Sequence, residues 1–179
     1  SLVPECDAAI EDIVNESISS NDLDAPVSIN LDRVNHFSDS TKDKIRENFD
    51  EVLELLGFRE LSHDIYRKWY VDGRLYYHKM VDTKNTKVGI QGLRPIDPQK
   101  IRKIREVDKK KDEKTGVEVI KKTDEYYIFN DQGFDKSGNN TGQTVKINSD
   151  AITHVTSGLL DYNQKVVVGY LHKAMKSVN

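Results

Sequence analysis

The stretch Trp69-Tyr70-Val71-Asp72-Gly73-Arg74-Leu75-Tyr76-Tyr77 decides how this chain is read, because the hydrophobic pattern changes inside it. Ahead of the change, Phe58, Leu61, Ile65 and Trp69 recur at helical spacing, which predicts a helix over 58–71 with those four side chains inward. After Asp72-Gly73 the run Leu75, Tyr76, Tyr77, Met80 and Val81 is β-rich and stops at Asp82. A further helix precedes the first. Ser40 with Asp43 three residues on resembles a capping box, Ile45, Phe49, Val52, Leu53 and Leu56 form its buried stripe, and Gly57 suits the residue past its end. The joint between the two helices is short, so they are expected to pack as a corner or a hairpin.

Toward the N-terminus, Pro4 suits a first helical turn, and Ile10, Ile13, Val14 and Ile18 recur at helical spacing opposite Glu11, Asp12 and Glu16. Ser19 to Asp22 end this helix. Val27, Ile29 and Leu31 then alternate with Ser28 and Asn30, which predicts a strand, at an edge given Pro26.

Toward the C-terminus, Asp82 to Gly92 reads as a polar loop and Arg94-Pro95-Ile96-Asp97-Pro98 as a turn, since each proline disfavours the α region in the residue before it. Ile101, Ile104 and Val107 mark a basic strand. A polar connection from Asp108 to Gly116 leads to Val117, Val119 and Ile120, so a charged hairpin with a long tip is expected. Tyr126 to Phe129, Val145 with Ile147, and Ile152 with His154 and Val155 are further strands, separated by a Gly/Asn/Asp loop over 131–143. Tyr170 to Met175 reads as a closing helix. Helices on either side of bunched short strands argue for an α+β fold, with helices packed against a small, mostly antiparallel sheet that carries the charged β-hairpin.

Composition narrows the function. The chain has 179 residues, 36% hydrophobic and 32% charged, and its mean hydropathy is −0.66. That is enough to bury a core and too aliphatic for a wholly disordered chain. No run approaches the ~18 apolar residues of a membrane span, and the acidic N-terminus lacks the apolar stretch of a secretory signal. Cys6 is the single cysteine, which excludes an internal disulfide and fits a reducing compartment. The net charge of −3 hides a split: residues 1–40 hold nine acids and one base, whereas 99–122 hold ten bases and five acids.

Catalytic patterns are missing. The five histidines lie far apart in sequence, none in a spacing that sets two ligands on one helical face, and one cysteine cannot build a zinc site. Ser157-Gly158 lacks the flanking glycine of a nucleophile elbow, and Gly89-Ile90-Gln91-Gly92 lacks the Lys-Ser/Thr end of a phosphate loop. No catalytic residue, cofactor or metal is therefore expected, nor an enzyme. Binding signals are broader. The basic 99–122 hairpin and the aromatics of Trp69–Lys79 could together serve a nucleic-acid-binding module, although a solvated turn and core packing account for the same residues.

The segment Ser62 to Lys79, with Arg67-Lys68-Trp69-Tyr70-Val71-Asp72 at its corner and Tyr76-Tyr77-His78-Lys79 after it, resembles a signature of portal proteins from T-even-like tailed phages. Leu93-Arg94-Pro95-Ile96-Asp97-Pro98-Gln99-Lys100-Ile101 and Glu125-Tyr126-Tyr127-Ile128-Phe129 are similar to later blocks of that family. So are His154-Val155-Thr156-Ser157-Gly158-Leu159 and Gly169-Tyr170-Leu171-His172-Lys173-Ala174. The blocks are collinear, with 108–116 and 131–143 as variable loops between them.

The resemblance implies a structural subunit of a twelve-membered homo-oligomeric ring at one capsid vertex of the virion, assembled inside the bacterial host. That ring is the channel for phage DNA during packaging and ejection. Its implied partners are the major capsid protein, the terminase packaging motor and the neck and tail proteins, with no integral membrane segment. It also implies that residues 1–179 are one wing-type domain of a larger subunit: a helical part to about 71, a β-rich part over about 72–168 and a closing helix over about 169–179. The family's following stem segment is not among these residues, so the chain reads as a fragment. A head-to-tail ring uses two different patches of each subunit. Lys109, Lys110 and Lys111 on the basic side, and Glu11, Asp12 and Glu16 on the acidic helix, are the candidate subunit or capsid contacts.

Overall fold

A computed structural model of the chain describes residues 4–18, 26–111, 118–134, 142–163 and 166–173. The chain divides into two compact units. The first comprises Ser1–Arg74, Gln91–Leu93 and Thr156–Asn179, and the second Leu75–Ile90 and Arg94–Val155.

The first unit is helical. α1 (Pro4–Ser17) begins on its proline and buries Ile10 and Val14, with Ile18 buried just beyond its end. α2 (Asp39–Leu56) starts two residues earlier than the sequence indicates. Its cap is Ser38, extended at φ −67° and ψ 157°, whose Oγ accepts the Thr41 N–H at 3.3 Å. Asp43 pairs with Arg46 instead of closing a capping box. Gly57, at φ +58°, ends α2, donating its N–H to Glu54, and leads directly into α3 (Phe58–Asp72). Both α1 and α2 pack on α3.

The inward faces differ from the expected stripes. Val52 is 45% exposed and Leu61 50%, while the most buried residue of α3 is Ser62, at 2%. Periodicity identifies a face only to within a residue; which side of that face is covered depends on the neighbouring elements. Val27 to Leu31 form no strand, although Leu31 is buried. A ladder needs a partner strand. Here the chain turns instead, with Asn30 Oδ1 accepting from the Asp32 N–H and Leu31 O from the Val34 N–H.

The segment expected as a closing helix is, over Tyr170–Lys173, a single 3-10 turn; residues 174–179 lie outside the described residues. It is held by rings. Tyr170 stacks on Tyr70 with centroids 5.2 Å apart and 2° between planes, and meets Trp69 at 5.3 Å. Close backbone approach makes this possible. A Cβ on Gly169 would lie 2.1 Å from Val71 O, and one on Gly73, at φ +71°, would lie 2.5 Å from Val168 O.

The second unit is β-rich. β1 (Arg74–Val81), β2 (Ile90–Ile96) and β6 (Ile152–Thr156) form one three-stranded sheet in the order β2-β1-β6. β3 (Ile101–Lys111), β4 (Glu118–Asn130) and β5 (Thr144–Asn148) form a second, antiparallel throughout, in the order β3-β4-β5. Among the described residues three α-helices and these two sheets make an α+β fold, as expected. Every strand contributes to the core of this unit: Tyr76, Ile101, Tyr127 and Ile152 are buried together, with Ile96 and Ile147 packed against them.

Two loops of the sequence reading are strands. Ile90–Ile96 continues through Pro95, which an edge strand tolerates because a missing N–H on the outer side breaks no ladder bond. The turn falls later, at Asp97 to Lys100, where Asp97 Oδ1 accepts the Gln99 N–H at 2.8 Å. The hairpin also runs further than Asp108, through a register shift, to Lys111.

The two cap glycines give a test. Gly57→Ala should cost about 1–2 kcal/mol for the left-handed backbone alone, since its nearest contact is the Leu61 side chain at 3.4 Å. Gly73→Ala should cost a further ~1–3 kcal/mol, because its Cβ meets fixed backbone. Thermal unfolding should therefore place Gly73→Ala several degrees below Gly57→Ala, and equal midpoints would contradict the described packing of 168–169.

Candidate interaction surfaces

Three surfaces are built by these elements. The first is the outer face of α1, where Glu11, Asp12 and Glu16 are exposed, as is Glu5. Asp7 is the acid of this helix that turns inward, and it pairs with Arg67 of α3.

The second is the β3–β4 hairpin. Opposed charges run along it as cross-strand pairs, the arrangement that stabilises an antiparallel ladder. Lys103 Nζ lies 2.7 Å from Glu125, which also meets Arg105 at 3.6 Å, and Lys109 Nζ lies 3.1 Å from Glu118. Tyr126 donates its hydroxyl to Glu106 at 2.6 Å, and the Lys146 ammonium sits 3.7 Å above the Tyr126 ring. Between Asp108 and Lys109 the register shifts: Asp108 faces Lys122 while Lys109 faces Ile120, so Lys121 is an extra residue on β4. A bulge of this kind twists the hairpin and turns its outer end. Beyond it Ile120 is 60% exposed. Lys109, Lys110 and Lys111 are thus strand residues, not tip residues; the tip, 112–117, lies outside the described residues, as do the side chains of Lys110 and Lys111.

The third surface has no sequence signal. Residues 157–161 pair back with residues 166–168. Leu160 bridges Val167, Asp161 exchanges hydrogen bonds with Val166, and Ser157 Oγ donates to Val168 O at 2.7 Å. Between these segments Tyr162 is fully exposed, beside Leu160 at 52% and Val166 at 49%. Asp161-Tyr162-Asn163 reads in sequence as an ordinary polar turn; only the backbone shows that the tyrosine is lifted off the surface.

The aromatics that could have formed a base-stacking platform are instead packed in the core or on one another, the use the sequence reading favoured for them. Tyr76 and Tyr77 are buried at 4% and 8%. Tyr66, Trp69, Tyr70 and Tyr170 stack on one another, and the bases beside them are paired, Arg67 with Asp7 and Lys68 with Asp64. Among the described residues no three His, Cys, Asp or Glu side chains are placed to hold a metal ion, and no helix is long and apolar enough to cross a membrane.

The hairpin pairs shift their own titrations. The hydrogen bond from Lys103, then its charge, holds the Glu125 carboxyl below its ordinary value, and the same bond raises Lys103. Donation to Glu106, with some desolvation, raises Tyr126; burial raises Tyr127. A depressed carboxyl adds stability above its unfolded value and loses it as pH falls through the folded one. The raised lysine and tyrosine contribute below their unfolded values and lose the contribution as pH rises through the folded ones. Amide exchange over 102–108 and 122–127 should then be slowest between about pH 5 and 9, after correction for the intrinsic rate. Glu125→Gln should remove the acid limb, and an unchanged limb would refute the pairing.

Comparison with known proteins agrees with the resemblance over the full chain. Residues 1–179 match the family model of the bacteriophage T4-like portal protein (Gp20). A curated portal protein of Vibrio phage KVP40 is 39% identical over 182 residues, covering 98% of this chain and 34% of that protein. A portal protein of Salmonella phage ViI is 33% identical over 186 residues, covering 98% of this chain and 33% of its own length. The chain spans about a third of the length of these relatives. With the family model matched from end to end, the chain belongs to the T4-like bacteriophage portal protein family.

Proposed function

We propose that residues 1–179 act as the wing-type part of a portal subunit, on the outside of a ring at the capsid vertex of the virion. The match of the family model to the whole chain is the observation that carries this reading. In it, the complete subunit forms a twelve-membered ring through which phage DNA enters during packaging and leaves at ejection. The ring meets the major capsid protein, the packaging motor and the neck and tail. The wing's own task is contact, not chemistry.

Three features support that task. An acidic helix face and a basic hairpin supply two patches of opposite charge, as a head-to-tail contact needs. The hairpin holds its shape through its own cross-strand pairs, so its exposed lysines can meet a neighbour without first being ordered. The exposed Tyr162 offers an aromatic anchor, the kind of residue enriched at the centres of interfaces. Nucleic-acid binding is the weaker reading, since the aromatics it requires are buried or stacked on one another.

Reversing Lys109, Lys110 and Lys111 to Glu in the full-length subunit should lower the yield of intact rings in native mass spectrometry, while Lys84→Glu, also on the β-rich unit, should not. Tyr162→Ser should leave thermal stability within about 0.5 kcal/mol, as for other fully exposed positions, yet reduce assembly into rings or capsids. Unchanged assembly in both variants would remove these surfaces from the interface.

A further inference from the structure

We propose that a cleft on the β-rich unit binds an acidic segment of a partner polypeptide, one in which a carboxylate is followed by an aliphatic side chain. The cleft has a volume of about 420 Å³, within the ~300–1,000 Å³ range of ligand sites. It is lined wholly by residues of the β-rich unit, and it does not depend on ring formation.

The floor is the margin of the hydrophobic core. Ile96 of β2 and Ile147 of β5 pack against the buried cluster with one side and line the cleft, together with Phe129 of β4 and Pro95. Apolar side chains anchored in this way cannot fold inward to cover themselves, so an aliphatic group laid on them would be removed from water.

The rim carries the polar groups. His78 of β1, Arg94 of β2 and Lys100 line the cleft beside Asp97 and Asp131. The two carboxylates are already engaged: Asp131 faces Lys100 at 3.2 Å, and Asp97 accepts the Gln99 N–H at 2.8 Å. No described residue forms an ion pair or a side-chain hydrogen bond with Arg94 or His78. The open donors at this site are therefore a guanidinium and an imidazole next to an apolar floor. A guanidinium takes a carboxylate through two parallel hydrogen bonds.

The site is also built in advance. Lys100 N–H donates to Asp97 O at 2.9 Å, and Asn130 N–H donates to Lys100 O at 2.9 Å, tying the turn that carries Lys100 to the end of β4. Asn130 is 1% exposed, and its Oδ1 accepts the Gln132 N–H, which fixes the backbone that carries Asp131. A rim held in this way loses little freedom on binding.

The same features disfavour a nucleic acid. A phosphodiester chain carries a charge at every residue, and Asp97 and Asp131, which line the cleft with Arg94, would repel it. A single carboxylate followed by an apolar group meets one open guanidinium and one apolar floor.

The test uses the whole 179-residue chain, isotope-labelled, with a blocked hexapeptide alternating Glu and Leu, its Gln/Leu counterpart, and an oligothymidylate of similar length. The Glu/Leu peptide should shift amides of His78, Arg94 to Lys100 and Phe129 to Asp131 in a saturable way. The Gln/Leu peptide should bind at least tenfold more weakly. Arg94→Glu should weaken binding at least tenfold with resonances outside the cleft unmoved, and Arg94→Lys should fall between. The idea is overturned by equal affinity for the Gln peptide, by shifts elsewhere on the chain, or by preferential binding of the oligothymidylate at the same residues. Concentration-dependent shifts of the same amides without peptide would assign the cleft to a second copy, and would overturn it too.

Discussion

The β-rich unit depends on how Tyr76 is packed. Its ring stacks on His154 of β6 with centroids 4.2 Å apart and meets Tyr127 of β4 edge-on at 6.0 Å. Three strands from two different sheets thus converge on one aromatic contact. Neither three-stranded sheet could bury a full face by itself, so each needs the other's apolar residues against its own. Because the core takes at least one residue from every strand, each strand's register is set there. The hairpin, the cleft and the turn after β2 are all placed by that register.

Charge and burial divide the hairpin between them. Ile101 and Tyr127 are buried in the core and need no ion pair, whereas Lys103, Glu125 and Lys109 replace apolar contact with cross-strand pairing. Exposed pairs of this kind contribute little each. What they do is keep the strands in register beyond the core and make β3, an edge strand, a poor template for unwanted pairing. A surface that resists indiscriminate contact while presenting fixed charges suits a part whose neighbours are few and specific.

Much of this was legible in the residues. The change at Gly73 was, because helix and strand periods differ and a glycine can take the left-handed φ that ends the helix. The hairpin of the basic strand with Val119 and Ile120 was too, although Tyr126 to Phe129, read as a separate strand, continue the same one. The charged candidates Glu11, Asp12, Glu16 and Lys109 do lie on the surface. Less legible was anything set by a partner element. Val27 to Leu31 has strand patterning and no strand beside it, while Pro95 looked like a breaker and sits in a strand whose outer edge is free. Leu61 looked buried and is not, because a helix stripe does not say which flank its neighbours cover. The cleft was invisible for the same reason: His78, Arg94 and Phe129 come from three separated blocks.

By itself the sequence determined the order and type of most elements, the charge split and, through five collinear blocks, the portal family. These are local properties: a period, a cap or a motif is complete within a few neighbouring residues. The tertiary structure alone decided which apolar faces are covered, that Tyr170 ends in a ring stack instead of a helix, that Tyr162 stands clear of the surface, and that open donors meet above an apolar floor. Each of those depends on what approaches a residue from a distant part of the chain, and burial is a property of the pair, not of the residue.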